Sequence, residues 1–202
     1  RGISPAQAAE HILREPLGIP TGSDVVYSCM GFILLGKIME QIDGEPLDAI
    51  VRREVFLPLG METACYNPPA DAVCAATEGE ICGTVHDENA AFLGGISGNA
   101  GVFASMEDCI KFAAMLARGG EGFLKPETFQ KAIYNYTPGM DENRGLGFQL
   151  CSFGMGHTGF TGTSLYVNDE GRYAILLTNR VHPTRANGKL PAFRREFHKE
   201  VL

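Results

Sequence analysis

Three stretches of the chain carry residue types able to do chemistry. His157-Thr158-Gly159-Phe160 opens the run Phe153–Asn168, FGMGHTGFTGTSLYVN. Gly159 lets a substrate approach the backbone, Thr158 supplies a hydroxyl, and the Phe160 N–H can point at a developing oxyanion. The imidazole of His157 can hold a proton near neutral pH. Tyr27 lies in Val25-Val26-Tyr27-Ser28-Cys29-Met30-Gly31, at a loop-to-helix junction whose orphan backbone N–H groups favour negative charge. A phenol has an ordinary pKa of about 10, so Tyr27 can act as a base near neutral pH only beside a cation. On spacing alone, plain packing is the commoner reading of both stretches: a turn entering a strand, and a core tyrosine with its hydroxyl hydrogen-bonded. The third stretch is His86-Asp87-Glu88-Asn89. Four adjacent side chains cannot all face one metal ion, and no second histidine stands at helical spacing, so His86 and Asp87 read as hydrogen-bonding ties for a long loop.

The elements that must position these residues are readable in outline. Ser4-Pro5-Ala6-Gln7 starts a helix running to about Arg14. Met30 to Ile42 is apolar on nearly every side and is stopped by Gly44, which predicts a largely buried helix. A second amphipathic helix is expected from Leu47 to Phe56, ended by Pro58-Leu59-Gly60. Periodicity then fails from Met61 to Gly101, an irregular excursion of a length that is usually functional. Within it, Gly94 to Gly101 lacks the ending of a phosphate loop and the setting of a dinucleotide fingerprint, so it reads as a tight backbone passage. Ser105 opens a capped helix closed by Gly119-Gly120, and another helix begins near Pro126.

After Asn143 the pattern becomes strand-like: GLGFQLCSF, HTGFTGTSLYVN and GRYAILLTNRV, with turns at Gly154-Met155-Gly156 and Asn168 to Gly171. This predicts a three-stranded antiparallel meander, with a short helix from Pro191 to Leu202 covering one face. Helices first and strands last give an α+β class, with 1–142 mainly helical and loop and 143–202 strands and the C-terminal helix of one structural unit. Three strands are few for so large a helical partner, so the sheet is expected to be incomplete.

Composition bounds the function. The 202 residues are 45% hydrophobic and 20% charged, with a mean hydropathy of −0.03, as in ordinary globular proteins. A net charge of −7 argues against nucleic acid and anionic membrane as partners. No apolar run reaches the roughly 20 residues of a membrane span. Six cysteines without a C-x-x-C pair or a zinc-finger histidine read as buried reduced thiols and lean towards the cytoplasm. Export stays compatible, because the chain has no initiating Met and a leader upstream of Arg1 would be invisible. No cofactor or metal is implied.

Taken in order, VVYSCMGFILLGKIMEQIDGEPLDAIVRREVFLPLGMETA, GTVHDENAAFLGGISGNAGVFAS and GLGFQL…GHTGFTGTSLYVN…GRYAILLTNRVHP resemble the serine β-lactamase-like hydrolases. These include class C β-lactamases, penicillin-binding proteins of the D-alanyl carboxypeptidase type and related esterases. The resemblance spans nearly the whole chain and implies a β-lactamase/transpeptidase-like fold. In that family a serine and a lysine three residues later share a helix, a Tyr-x-Asn motif follows, and Lys-Thr-Gly lies on an inner strand. Tyr27 matches the motif tyrosine, which implies a general base or proton relay for the serine. His157-Thr158-Gly159 falls at Lys-Thr-Gly. This implies a hydrogen-bonding and electrostatic role for His157, substrate contact for Thr158 and Gly159, and an oxyanion donor in Phe160 N–H beside the N–H of the serine. Cys29 stands at the substrate-contacting Asn, and a thiol replaces a carboxamide poorly.

The chain contains no Ser-x-x-Lys: Ser4, Ser23 and Ser28 are followed three residues later by Gln7, Val26 and Gly31. The resemblance therefore implies a C-terminal portion of such a domain. Its nucleophile, lysine and second oxyanion donor would come from an N-terminal segment of the same protein, and the chain alone would be inactive. The intact protein would act on a small-molecule or peptide ester or amide through an acyl-enzyme; a non-catalytic binding module is the alternative. Either way, Tyr27 and the edge 157–160 must converge on one cleft.

Overall fold

The computed structural model describes residues 2–178 and 189–202. A short 3-10 turn, Pro5–Gln7, leads into α1, Ala8–Arg14, and the Ser4 N–H donates to Gln7 Oε1 at 3.0 Å as the sequence predicts. Next comes α2, Cys29–Asp43, stopped by Gly44 at φ +74°, a conformation that suits a residue without Cβ. Helix α3, Leu47–Val51, runs on as a π-helical turn, Arg52–Phe56.

The expectation of a largely buried α2 is corrected. Ile33 and Gly36 are buried, but Leu35 and Ile42 are 55% and 79% exposed, and Ile38 and Met39 are also open to solvent. Among the described residues, α1, α3 and the loop at Gly98 pack on this helix, and the arc of Leu35, Ile38, Met39 and Ile42 is left open. The all-round apolar pattern records a surface meant for cover, and the described elements cover part of it.

The tight passage predicted around Gly98 is where α2 is fixed. A Cβ on Gly98 would sit 2.1 Å from the Phe32 carbonyl oxygen, and one on Gly36 would sit 3.1 Å from the Gly98 nitrogen. Only glycine lets the loop cross the first turns of the helix at this distance. The rest of the long excursion is tied by short elements. Strand β1, Cys65–Tyr66, pairs antiparallel with β2, Val102–Phe103, and α4, Glu88–Phe92, begins at Asp87, which accepts a hydrogen bond from Ala90 N at 2.8 Å. Asn99 Nδ2 also donates to Asp87 at 3.0 Å, and His86 Nε2 lies 2.6 Å from Glu78 Oε2. His86 and Asp87 therefore act as the loop ties read from the sequence.

Helix α5, Met106–Ala117, is capped by Ser105, whose Oγ accepts from Asp108 N at 3.2 Å; α6 spans Pro126–Ile133. The C-terminal sheet has four strands where the sequence predicts three: β3 Gln149–Cys151, β4 Gly154–Thr158, β5 Ser164–Val167 and β6 Tyr173–Leu176, in that order and antiparallel. Gly154-Met155-Gly156 is the start of β4 and not a turn, because Cys151 pairs with Gly154 and leaves Ser152-Phe153 as the link. HTGFTGTSLYVN is likewise two strands joined by a loop at 159–163, closed by Gly159 N–H donating to the Thr163 carbonyl at 2.7 Å. Gly162, at φ +110°, makes that loop possible, since a Cβ there would meet Thr178 Oγ1 at 1.9 Å. The turn expected at Asn168 to Gly171 is present, with Gly171 N–H donating to the Asn168 carbonyl at 3.1 Å. The last residues of the third predicted strand, 179–181, lie outside the described residues.

Strand alternation sorts the sheet into two faces. Leu165 and Val167 join the core formed by Met115, Leu116 and Phe129 of α5 and α6. Ser164 and Tyr166 face the C-terminal helix α7, Lys189–Val201, which starts two residues earlier than predicted. There Ser164 Oγ lies 2.8 Å from His198 Nε2, and the Tyr166 and His198 rings are 4.7 Å apart.

Gly98→Ala is expected to destabilise the fold by about 1–3 kcal/mol or more, because backbone must move to admit the methyl group; urea denaturation of the intact protein measures it. Burial, and then the charge of Arg194, hold the His198 pKa below its ordinary 6.5. As pH falls through that value the unfolded chain binds a proton that the folded chain refuses, so stability declines. Urea midpoints between about pH 7.5 and 5 should fall, and the His198→Leu variant should lose that part of the slope.

Candidate active site

Tyr27 reaches the site from the loop leading into α2. Its ring lies 6.0 Å from that of Phe32, in the turn of α2 fixed by Gly98. His157, on β4, is in register with Leu165 and so points to the face away from α7. The two meet: the Tyr27 and His157 ring centroids are 5.6 Å apart at 41°. Of the convergence required of Tyr27 and the edge 157–160, the contact between positions 27 and 157 is present.

A cation that the sequence reading missed completes the contact. Arg144 Nη1 lies 3.0 Å from His157 Nε2, its guanidinium carbon stands 5.8 Å from the Tyr27 ring centroid, and Nη2 pairs with Glu142 at 2.5 Å. The pattern assigns the imidazole tautomer. Nδ1 lies 2.8 Å from the Thr158 carbonyl, which can only accept, so Nδ1 carries the hydrogen and Nε2 is left to accept from Arg144. His157 is therefore oriented at both nitrogens and is not a free base.

Electrostatics at Tyr27 oppose a phenolate. Burial, then the Cys29 thiol with which it hydrogen-bonds, raise its pKa above 10, and Asp87 adds to this; Arg144 lowers it and loses the balance. Cys29 thus touches the tyrosine as a motif partner should, but it holds the proton on. Tyr27 is 51% exposed and lines a groove of about 440 Å³ with Val26, Phe32, Leu35, Arg144 and Phe148.

The other predicted residues sit at the hairpin. Thr158 pairs with Ser164, so its side chain takes the face opposite His157 while its carbonyl anchors the imidazole. Gly159 begins the 159–163 loop, where a Cβ would fall 2.3 Å from Thr163 Oγ1. Phe160 is 62% exposed and stacks on His86 at 5.6 Å, which brings the loop 78–90 against the 159–163 loop. Arg144 had one sequence signal, a lone cation in Asn143-Arg144-Gly145-Leu146-Gly147 just before a strand, but spacing did not connect it to residue 157. Among the described residues no group of three or more His, Cys, Asp or Glu side chains is placed to hold a metal, and no helix is long and apolar enough to cross a membrane.

The chain matches the Beta-lactamase family over residues 2–199 and belongs to that family. A provisionally named D-alanyl-D-alanine carboxypeptidase of Salmonella enteritidis PT4 is 32% identical over 227 residues, covering 93% of this chain and 52% of the relative. The chain therefore spans about half the length of that relative. The octameric penicillin-binding protein homologue of Pyrococcus abyssi superposes with a TM-score of 0.69 at 19% identity, over 98% of this chain and 49% of that one. EstCE1, a hydrolase with promiscuous acyltransferase activity, gives 0.71 at 20%, over 97% and 61%. The fold is β-lactamase/transpeptidase-like, α+β, with small open antiparallel sheets.

Arg144→Gln should raise the Tyr27 pKa further and Cys29→Ala should lower it, since each removes the stated influence. Titration of the intact protein carrying ¹³Cζ-tyrosine, followed by NMR, reads both shifts; opposite signs would refute the assignment.

Proposed function

We propose that the intact protein is a serine hydrolase that opens an ester or amide through an acyl-enzyme. The observation that carries this reading is the meeting of His157 with Tyr27 and Arg144, two residues that line one groove. In this scheme a serine oxygen contributed by an upstream segment attacks the substrate carbonyl carbon and its proton passes to the Tyr27 phenolate oxygen; that proton goes on to the departing alcohol or amine as the C–O or C–N bond breaks, and water then hydrolyses the serine ester. Tyr27 can accept that proton only as phenolate. Its raised pKa means that a further cation beyond Arg144 is needed, and the upstream lysine of the family motif fills that need. Carbonyl charge collects on the oxyanion, which Phe160 N–H meets. His157 fixes the position of Tyr27 and of the substrate edge, while the substrate lies along the backbone of Thr158 and Gly159, the Thr158 side chain being on the other face.

Arg144 indicates the substrate class. A guanidinium at the groove with donors to spare suits a free carboxylate, such as the C-terminus of a peptide, and this agrees with the carboxypeptidase name of the relative above. The 202-residue chain alone holds half of this machinery, and we propose that it does not turn over substrate by itself. A second reading, a carboxylate-binding module without chemistry, is favoured by Cys29, which keeps the phenol protonated.

In the intact protein, Tyr27→Phe should lower kcat for an activated ester by about 10² to 10⁴-fold. A fluorophosphonate or labelled penicillin should mark the wild-type serine. Unlabelled wild-type protein that still binds a peptide carboxylate would establish the binding module instead.

A further inference from the structure

Arg194, on α7, is one residue that neither the family motifs nor the groove assigns. It is 9% exposed, and Nη1 donates to two carbonyls, Gly159 at 2.6 Å and Thr163 at 3.0 Å. Among the described residues no carboxylate stands at ion-pair distance from it, and its Nε has no partner. A buried guanidinium held only by carbonyl dipoles is costly, and burial lowers its pKa from 12.5. Its neighbour His198, one turn on, is kept neutral partly by the same charge.

We infer that Arg194 is a positioning residue that aims and polarises the oxyanion donor. The inference rests on the reading of Phe160 N–H given above. The carbonyl of Gly159 and the N–H of Phe160 are the two ends of one peptide unit. In a planar trans peptide they point in opposite directions and cannot turn independently. Arg194 holds the carbonyl end from the side of α7, the side that Ser164 and Tyr166 also face. Gly162 N–H holds the same carbonyl at 3.2 Å, and on this inference the N–H end is directed away from both donors, to the side on which His157 meets Tyr27. A flip of this peptide would turn the N–H away from the cleft and would break the 2.6 Å bond, so the guanidinium resists it. A cation on the carbonyl also draws charge through the amide and strengthens the donor at its far end. The second bond, to Thr163, closes the same loop from its other end, where Thr163 also accepts from Gly159 N. Arg194 itself touches no substrate.

The test uses the intact protein with its upstream segment. Phenylboronic acid is the probe, because it forms a tetrahedral adduct with a serine and places an oxygen where the oxyanion develops. Arg194→Ala, or Arg194→Met where volume must be kept, should lower kcat for p-nitrophenyl acetate by about 10 to 100-fold while KM changes little. Affinity for the boronate should fall by a similar factor, and millimolar guanidinium should restore part of both. A folded variant that keeps wild-type kcat and boronate affinity overturns the inference, as does a loss that appears only in KM and is not rescued. A measurement without any variant guards against misfolding: in the wild-type boronate complex the Phe160 amide proton should move downfield and exchange more slowly, and an unmoved resonance overturns the inference. Wild-type protein that neither reacts with a fluorophosphonate nor binds the boronate overturns the hydrolase reading itself, and this inference with it.

Discussion

The register of one hairpin decides what faces what. His157 stands opposite Leu165 and Thr158 opposite Ser164. Because side chains alternate along a strand, a slip of one residue would send His157 towards α7 and Thr158 towards Tyr27. The register is held from both faces: Leu165 and Val167 are buried against α5 and α6, while Ser164 and Tyr166 are engaged by His198. The loop 159–163 then has one length and one closure, Gly159 N to the Thr163 carbonyl. The placement of the candidate site is in this sense a product of the core and of α7, elements that have no chemistry of their own.

Tyr27 is under influences of opposite sign, of which those favouring the neutral phenol prevail. Burial and the Cys29 thiol favour the phenol; Arg144 favours the phenolate, and Arg144 is shared with His157 and Glu142. A charge added here would act on the same phenol that burial, Cys29, Arg144 and Asp87 already influence. This arrangement also explains the absorption of His157. With Nδ1 committed to a carbonyl and Nε2 to Arg144, the imidazole serves as a rigid spacer between the cation and the ring of Tyr27.

Much of this was legible in the residues. Caps at Ser4 and Ser105, stops at Gly44 and Gly119, and the tie made by His86 and Asp87 are local, and local chemistry is what a sequence displays. The tight passage at Gly98 was legible as a cluster of glycines, though its partner, the Phe32 carbonyl, was not. The sequence pattern gives one strand too few because Gly159 reads as an opening for a substrate along a continuous strand, when Gly159 and Gly162 turn the chain between β4 and β5. Arg144 and Arg194 stayed hidden for a different reason. Each acts across a long separation, 13 residues to His157 and 35 to Gly159, and nothing in the spacing of a lone arginine says which face it will reach.

The open arc of α2 has a practical side. Leu35, Ile38, Met39 and Ile42 form a greasy stripe beside the groove that contains Tyr27. Such a stripe seeks contact with detergents, chaperones, plastic or other copies of itself, and its hold weakens on cooling because the driving force there is largely that of releasing water. The colloidal behaviour of the isolated 202-residue chain is therefore tied to a helix that also flanks the candidate site, with Leu35 common to the stripe and to the groove.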